Sequence, residues 1–239
     1  MMKFGTLYLI PTPLAEGTLN DTIPSGTLEV VSALHFFVVE ELRTSRRFLS
    51  TTGHKGNLDK ISLFVLNEHT SPKELNILIQ PLLEGNDMGL LSEAGLPAVA
   101  DPGANLVALA HLKGIKVTPL TGPSSLMLAL MASGLNGESF AFVGYLPIHS
   151  QERKRKIREF EKRAIQNHQT QLFIETPYRS LALFGDLLEV CAPQTLLCIA
   201  ANLTAPSAFI ATKSVAQWRL TPLPPIHKTP TVFGLNSPK

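Results

Sequence analysis

The segment Glu40-Glu41-Leu42-Arg43-Thr44 gathers two carboxylates, a guanidinium and a hydroxyl within five residues. It follows the apolar run Phe36–Val39, which reads as a strand, so the group lies at a strand end. Carboxylates so placed accept or orient a substrate proton, and an arginine beside them contacts phosphate through charge-assisted hydrogen bonds. The same residues also suit a helix start capped by an acid, with its arginine at the surface. Glu68-His69, after the apolar run 63–66, is a second polar pair. An imidazole there positions a ribose hydroxyl or a phosphate, or makes a structural hydrogen bond within the loop. Asp101, in the turn Ala100-Asp101-Pro102-Gly103, suits the cap of a helix over 104–112 better than it suits chemistry.

The elements that must position these groups alternate between strand and helix. In the first half, strand patterns at Thr6–Ile10, Phe36–Val39, 63–66, 89–91 and 115–118 are interleaved with helical periodicity at 26–33, 73–83 and 105–111. This is the βαβ signature of a mostly parallel sheet. Pro24 marks a helix start and Gly114 a helix stop. The second half carries strand patterns at Phe140–Tyr145, 171–175, 195–200, 208–212 and 231–235, with helical patterns at 152–165 and 179–190. Extended halves around Ala205-Pro206-Ser207 predict an antiparallel hairpin. The organisation is therefore α/β, with two α/β domains over 1–120 and 121–239 and a cleft between them.

Two turns stand out, SEAGLPAVADPG over 92–103 and PLTGPSS over 119–125, each directly after a strand pattern and before a helical one. Such strand ends are where open α/β sheets bind ligands, and glycine lets backbone amides approach them. In Gly122-Pro123-Ser124-Ser125 a proline in the first helical turn leaves unpaired N–H groups for ligand atoms.

Composition narrows the class. With 44% hydrophobic and 17% charged residues in a chain of 239, ordinary packed cores are expected and disorder is not. The longest nearly uncharged apolar stretch, 126–135, is too short to span a bilayer, and the start MMKFGTLYLIPTP lacks the pattern of a secretory signal, so a cytoplasmic protein is expected. Cys191 and Cys198 lie in apolar surroundings at no metal-ligand spacing and read as buried thiols. No P-loop, HExxH, GxSxG or CxxC pattern occurs, which removes the residues that nucleotide hydrolysis, zinc proteolysis, α/β-hydrolase and thiol-redox chemistry require. The net charge is +2, yet QERKRKIREFEKR over 151–163 alone carries +4. On a helix, Ile157, Phe160, Ala164 and Ile165 share one face, with Arg153, Lys154, Arg155, Lys156 and Arg158 around the exposed side. That segment reads either as a solvated amphipathic helix or as a contact for RNA phosphates.

Five motifs in order, GTLYLIPTPLAEG at 5–17, SEAGLPAVADPG at 92–103, VTPLTGPSS at 117–125, FVGYLP at 142–147 and LFIETPYR at 172–179, give the chain a resemblance. Together they resemble the tetrapyrrole-methylase superfamily of S-adenosylmethionine-dependent methyltransferases, nearest to the ribosomal RNA small subunit methyltransferase I family. The resemblance implies a two-domain α/β homodimer, without metal, that binds S-adenosylmethionine between its domains without a GxGxxG loop. It implies methylation of a ribose 2′-hydroxyl of 16S RNA in the small ribosomal subunit.

By position, the resemblance assigns the cofactor to Leu14 in the first strand-end loop, to Ala94, Gly95, Leu96 and Val99, to Ser124 and Ser125, and to Glu175 and Leu203. It assigns chemistry to Glu40, Glu41 and Arg43. Departures from the family are Ala15-Glu16 in place of Gly-Asn, and Ala201-Asn202-Leu203-Thr204-Ala205 in place of Arg-Glu-Leu-Thr-Lys. Lys228-Thr229-Pro230-Thr231 also replaces the family's acidic and glycine residues. These departures keep two other readings open, a methyltransferase for a tetrapyrrole or other small molecule, and an RNA-binding relative without turnover.

Overall fold

The structure is a computed structural model that describes residues 3–238; Met1, Met2 and Lys239, the outermost residues of the expected domain ranges, lie outside the described residues. The chain divides into two compact units, Met1–Ser124 and Ser125–Lys239.

The first unit runs β1 (Thr6–Ile10), α1 (Leu19–Thr22), α2 (Ser25–Ala33), β2 (Phe36–Val39), α3 (Leu42–Thr51), β3 (Ser62–Val65), α4 (Pro72–Leu78), α5 (Gln80–Leu83), β4 (Met88–Leu91), α6 (Gly103–Leu112) and β5 (Lys116–Pro119). Its five strands are all parallel, in the order β3-β2-β4-β1-β5. Parallel strands with helical crossovers bury both faces of their sheet, and alternate residues here do so. Leu7, Val38, Met88 and Leu90 pack with Leu106 and Ala110 of α6 on one side. Ile10, Phe37, Val39 and Leu91 pack with Val31 of α2 and Leu49 of α3 on the other. The register puts Ile10, Leu91, Val39 and Val65 in one row, so the loops leaving β1, β4, β2 and β3 open along the same edge.

One helical expectation is corrected. The single pattern over 73–83 is two helices, because Pro81 in the first turn of α5 cannot donate the hydrogen bond that would continue α4. The alternative reading of Glu40–Thr44 as a helix start capped by an acid is borne out, since residues 42–51 form α3 with Glu41 as its N-cap.

The second unit runs α7 (Ser125–Ser133), β6 (Phe140–Tyr145), α8 (Ser150–Asn167), β7 (Thr170–Glu175), α9 (Ser180–Val190), β8 (Leu196–Ala201), β9 (Phe209–Ser214), α10 (Val215–Arg219) and β10 (Thr231–Asn236). The sheet order is β6-β7-β10-β8-β9, parallel only between β6 and β7, and β8 and β9 form the hairpin expected about Ala205-Pro206-Ser207. Phe173 and Phe233 stack on neighbouring strands with ring centroids 5.7 Å apart, and Trp218 donates from its indole N–H to the Leu197 carbonyl at 2.8 Å. Glu175, Thr231 and Ala201 share one row at the end of this sheet.

Helix α8 departs from the expectation of a uniformly basic outer side. Arg153 is only 5% exposed; its guanidinium meets Asp186 of α9 at 2.6 Å and also donates to the Ile148 carbonyl at 2.7 Å. Lys154 pairs with Glu189 at 2.6 Å and Lys156 with Glu159 at 2.8 Å. Ile165, assigned to the apolar face, is 46% exposed. Ionic tethering of α8 to α9 therefore consumes part of the charge that the sequence displays, while Arg155 and Arg158 remain exposed. Both cysteines are buried and free, and burial pushes each thiol above its ordinary range. Among the described residues no helix is long and apolar enough to cross a membrane.

Candidate functional site

In the first unit the site is built from strand-end loops fastened to one another. Thr12 and Gly95 exchange backbone hydrogen bonds, the Thr12 N–H to the Gly95 carbonyl at 2.9 Å and the Gly95 N–H to the Thr12 carbonyl at 3.1 Å. Gly95 has φ +79°, and a Cβ there would meet the Leu14 side chain at 3.1 Å and the Pro123 carbonyl at 3.7 Å. Gly122 packs so closely on the Pro11 ring that a Cβ would fall 2.3 Å from it. Glycine is thus required at both positions, at one by dihedral and at the other by space. Leu14, Gly95 and the Gly122–Pro123 segment meet beyond the carboxyl ends of β1, β4 and β5.

Further along the same turn, Ala98 and Ala100 have φ +63° and +55°. Two alanines in the left-handed region cost roughly 1–3 kcal/mol each, and such strain gathers at ligand sites. Asp101 secures the turn by accepting from the Gly103 N–H at 2.6 Å and from the Ala98 N–H. It accepts from the first residue of α6, which begins at Gly103 rather than at 104. Burial raises the Asp101 carboxyl above its ordinary range, and its second oxygen is buried without a partner. Val99 is 44% exposed and Leu96 half-buried in this turn.

The acidic pair after β2 separates into two roles. Glu41 is the N-cap of α3, its carboxylate accepting from the Thr44 N–H at 2.7 Å. Hydrogen bonds from the Arg43 and Thr44 amides hold its carboxyl below the ordinary range. Glu40 instead sits half-buried at the end of β2, accepting from the Glu93 N–H. Burial first, then the neighbouring carboxylates of Asp101, Glu93 and Glu68, raise its carboxyl above the ordinary range. A carboxylate raised above its ordinary range at a strand end has the higher proton affinity that proton acceptance uses. Arg43 is exposed on the first turn of α3. His69 and Glu68 are both 84% exposed and lie 3.5 Å apart.

In the second unit, Glu175 ends β7 with a side chain removed from solvent. One carboxylate oxygen accepts from the Thr176 N–H at 2.7 Å and from Arg179 at 2.5 and 2.9 Å; the other is buried and unpartnered. The turn after β8 holds Asn202 and Thr204 at φ +50° and +69°, with Leu203 buried between them and the Thr204 hydroxyl buried without a partner. Strained non-glycine residues and unsatisfied polar atoms again coincide at a strand end. Strain of this kind gathers at ligand sites, and a buried polar atom without a partner in the protein has capacity for a further hydrogen bond. Ser125 is the first residue of α7, directly after Ser124. Among the described residues no group of three or more His, Cys, Asp or Glu side chains is arranged to hold a metal ion.

No protein-family model matches the chain. It is 35% identical over 198 residues to the ribosomal RNA small subunit methyltransferase I of Vibrio cholerae, covering 83% of this chain and 65% of that protein. To the protein of the same name from Pasteurella multocida it is 30% identical over 215 residues, covering 90% of this chain and 72% of the relative. The chain belongs to the ribosomal RNA small subunit methyltransferase I family. It spans about 65% of the length of the first curated relative it matches and 66% of those from Haemophilus influenzae and Escherichia coli O157:H7. Among solved structures, the methyltransferase CobJ superposes with a TM-score of 0.64 at 15% identity, covering 98% of this chain and 94% of that one. A uroporphyrin-III-C-methyltransferase from Thermus thermophilus gives 0.53 at 19%, covering 98% and 92%. The fold is therefore that of the tetrapyrrole methylases, the one the five motifs implied.

Sequence reasoning missed Arg46, Arg47 and the pairing of Glu16, a residue it named only as a departure in the first loop. Arg46 and Arg47 are exposed on α3, and Arg47 forms an ion pair with Glu16 of the first loop. The signal was present, since an acid followed by Leu42, Ser45 and Leu49 at helical spacing marks a capped helix whose other faces carry Arg43, Arg46 and Arg47.

Proposed function

We propose that this protein transfers the methyl group of S-adenosylmethionine to a ribose 2′-hydroxyl of 16S RNA in the small ribosomal subunit. The observation that carries the reading is membership of a family whose relatives are named for that RNA. The two compact units are taken as its two domains, and the protein is taken to act in the cytoplasm as a homodimer.

The residues present suit the cofactor. A zwitterion with a neutral adenine is held well by backbone amides and carbonyls, which Ala94, Leu96 and Val99 offer in the strained turn, while Gly95, its own amide and carbonyl spent on Thr12, fixes the turn and lets the ligand approach. Leu14 offers an apolar wall beside Gly95. In the second unit the unpartnered oxygen of Glu175 accepts from a hydroxyl or an ammonium group, and Leu203 in the turn after β8 is the apolar position; Ser124 and Ser125 stand at the start of α7. Bound there, S-adenosylmethionine supplies a methyl carbon on a positively charged sulfur.

The chain's own task is to orient the ribose and remove its proton. Glu40 takes the 2′-hydroxyl proton onto its carboxylate, and its burial and acidic neighbours raise the affinity for that proton. Glu41 acts through α3, fixing the helix start so that Arg43 meets a phosphate of the same strand. Arg155 and Arg158 of α8 add long-range attraction for the polyanion.

The test is transfer of labelled methyl from S-adenosylmethionine to small ribosomal subunits from cells lacking the protein, beside free large-subunit RNA and a uroporphyrinogen mixture. Label confined to the small subunit supports the reading. Label only in the porphyrin, or in none of the three, overturns it.

A further inference from the structure

One cavity of the first unit has no part in the cofactor chemistry described above beyond sharing Leu14 and Ala94. It measures about 520 Å³ and lies between the first strand-end loop, α3 and the turn after β4. Leu14, Leu19 and Phe48 give it apolar walls, while Thr44 and Asn20 supply a hydroxyl and an amide. Arg47 and Glu16 also line it and form their ion pair there, with side chains 69% and 77% exposed.

These features match one nucleotide in size and chemistry. The volume lies in the range of small-molecule pockets, an aromatic ring and aliphatic walls accept a base, and a guanidinium accepts a phosphate. An ion pair exposed to water is weak, so an arriving phosphate competes for Arg47 on nearly equal terms.

We propose that this cavity receives one nucleotide of the RNA substrate, that Arg47 holds its phosphate, and that Glu16 restrains Arg47 until the phosphate displaces it. Glu16 thereby sets RNA affinity by competition, and the chain binds RNA less tightly than it would with a neutral side chain at that position. The inference rests on the RNA reading above and adds to it a site and a competitor.

The test measures binding of a short fluorescein-labelled single-stranded RNA across a salt titration. Glu16→Asn is expected to tighten binding about two- to fivefold, the range corresponding to an exposed ion pair. Arg47→Ala is expected to weaken it about tenfold and to lower the slope of log affinity against log salt by about one. Exchanging the charges, Glu16→Arg with Arg47→Glu, restores the ion pair and separates the two roles. If Arg47 serves the phosphate, the exchange leaves RNA binding weak. If the pair is only a structural latch, the exchange restores binding and the proposal fails. It also fails if Glu16→Asn leaves affinity unchanged or lowers it. Should the unaltered protein methylate small subunits while these variants bind RNA as it does, the cavity assignment alone is wrong. Absence of RNA binding by the unaltered protein removes both readings.

Discussion

Thr12 and Gly95 hold each other through a reciprocal pair of backbone hydrogen bonds, 2.9 and 3.1 Å, that joins the loop leaving β1 to the turn leaving β4. The Ser92 hydroxyl adds a bond to the Gly95 carbonyl at 3.3 Å. The two segments assigned to the cofactor are thus one rigid piece before any ligand arrives, which lowers the ordering cost of binding.

Replacing Gly95 tests that rigidity. Gly95→Ala forces an L residue to φ +79° with its Cβ against Leu14, so stability falls by about 1–2 kcal/mol. Urea midpoints report the loss, and calorimetric titration with S-adenosylmethionine shows weaker binding by the folded variant.

Glu40→Gln separates catalysis from stability. Turnover is expected to fall by about a hundredfold with KM little changed, as for loss of a general base. The folded state binds the Glu40 proton more tightly than the unfolded chain does, so its contribution to stability is present below the ordinary carboxylate pKa and is lost as pH rises towards the raised value. A neutral glutamine escapes that loss. The variant therefore melts higher than the parent at pH 8, and the difference closes in acid.

Glu175→Gln removes a charge whose second oxygen has no partner in the protein. Affinity for S-adenosylmethionine is expected to drop at least about tenfold, the scale of a hydrogen bond to a charged group. Calorimetry of the folded variant checks this, with RNA affinity by fluorescence anisotropy as the control that stays level.

Arg153 and Asp186 form a buried pair, so Arg153→Ala costs about 3–5 kcal/mol and lowers the urea midpoint, while the double variant Arg153→Met, Asp186→Leu regains most of it. Charge reversal on α8 reads out RNA contact only at exposed positions. Arg155→Glu with Arg158→Glu is expected to weaken RNA binding and flatten its salt dependence without unfolding the chain.

The sheet was legible because burial enforces it. Phe36–Val39 reads as a strand from its continuous apolar run, and such a run is what parallel strands buried between helical layers must show. The start of helix α3 was legible as an acid-capped turn but its extent was not, because seven of its ten residues are Arg, Thr or Ser, leaving only Leu42, Phe48 and Leu49 to carry a 3.6-residue pattern. The mismatch at Arg153 has another cause. Helical periodicity places a charged residue on a face, but it does not say whether Asp186, far along the chain, waits opposite it. The different states of Glu40 and Glu41 are equally invisible in sequence, since one carboxylate finds two local amides and the other finds burial and three distant acids.

The most direct test of the central claim uses the chemistry of the product. A ribose with a free 2′-hydroxyl allows alkaline cleavage of its phosphodiester, and a 2′-O-methylated one does not. Small-subunit RNA from cells lacking the protein, treated with purified protein and S-adenosylmethionine and then mapped by alkaline hydrolysis, is predicted to gain a resistant linkage absent from the untreated RNA. A ladder identical before and after treatment, with methyl label found on a base or not in RNA at all, would contradict the account.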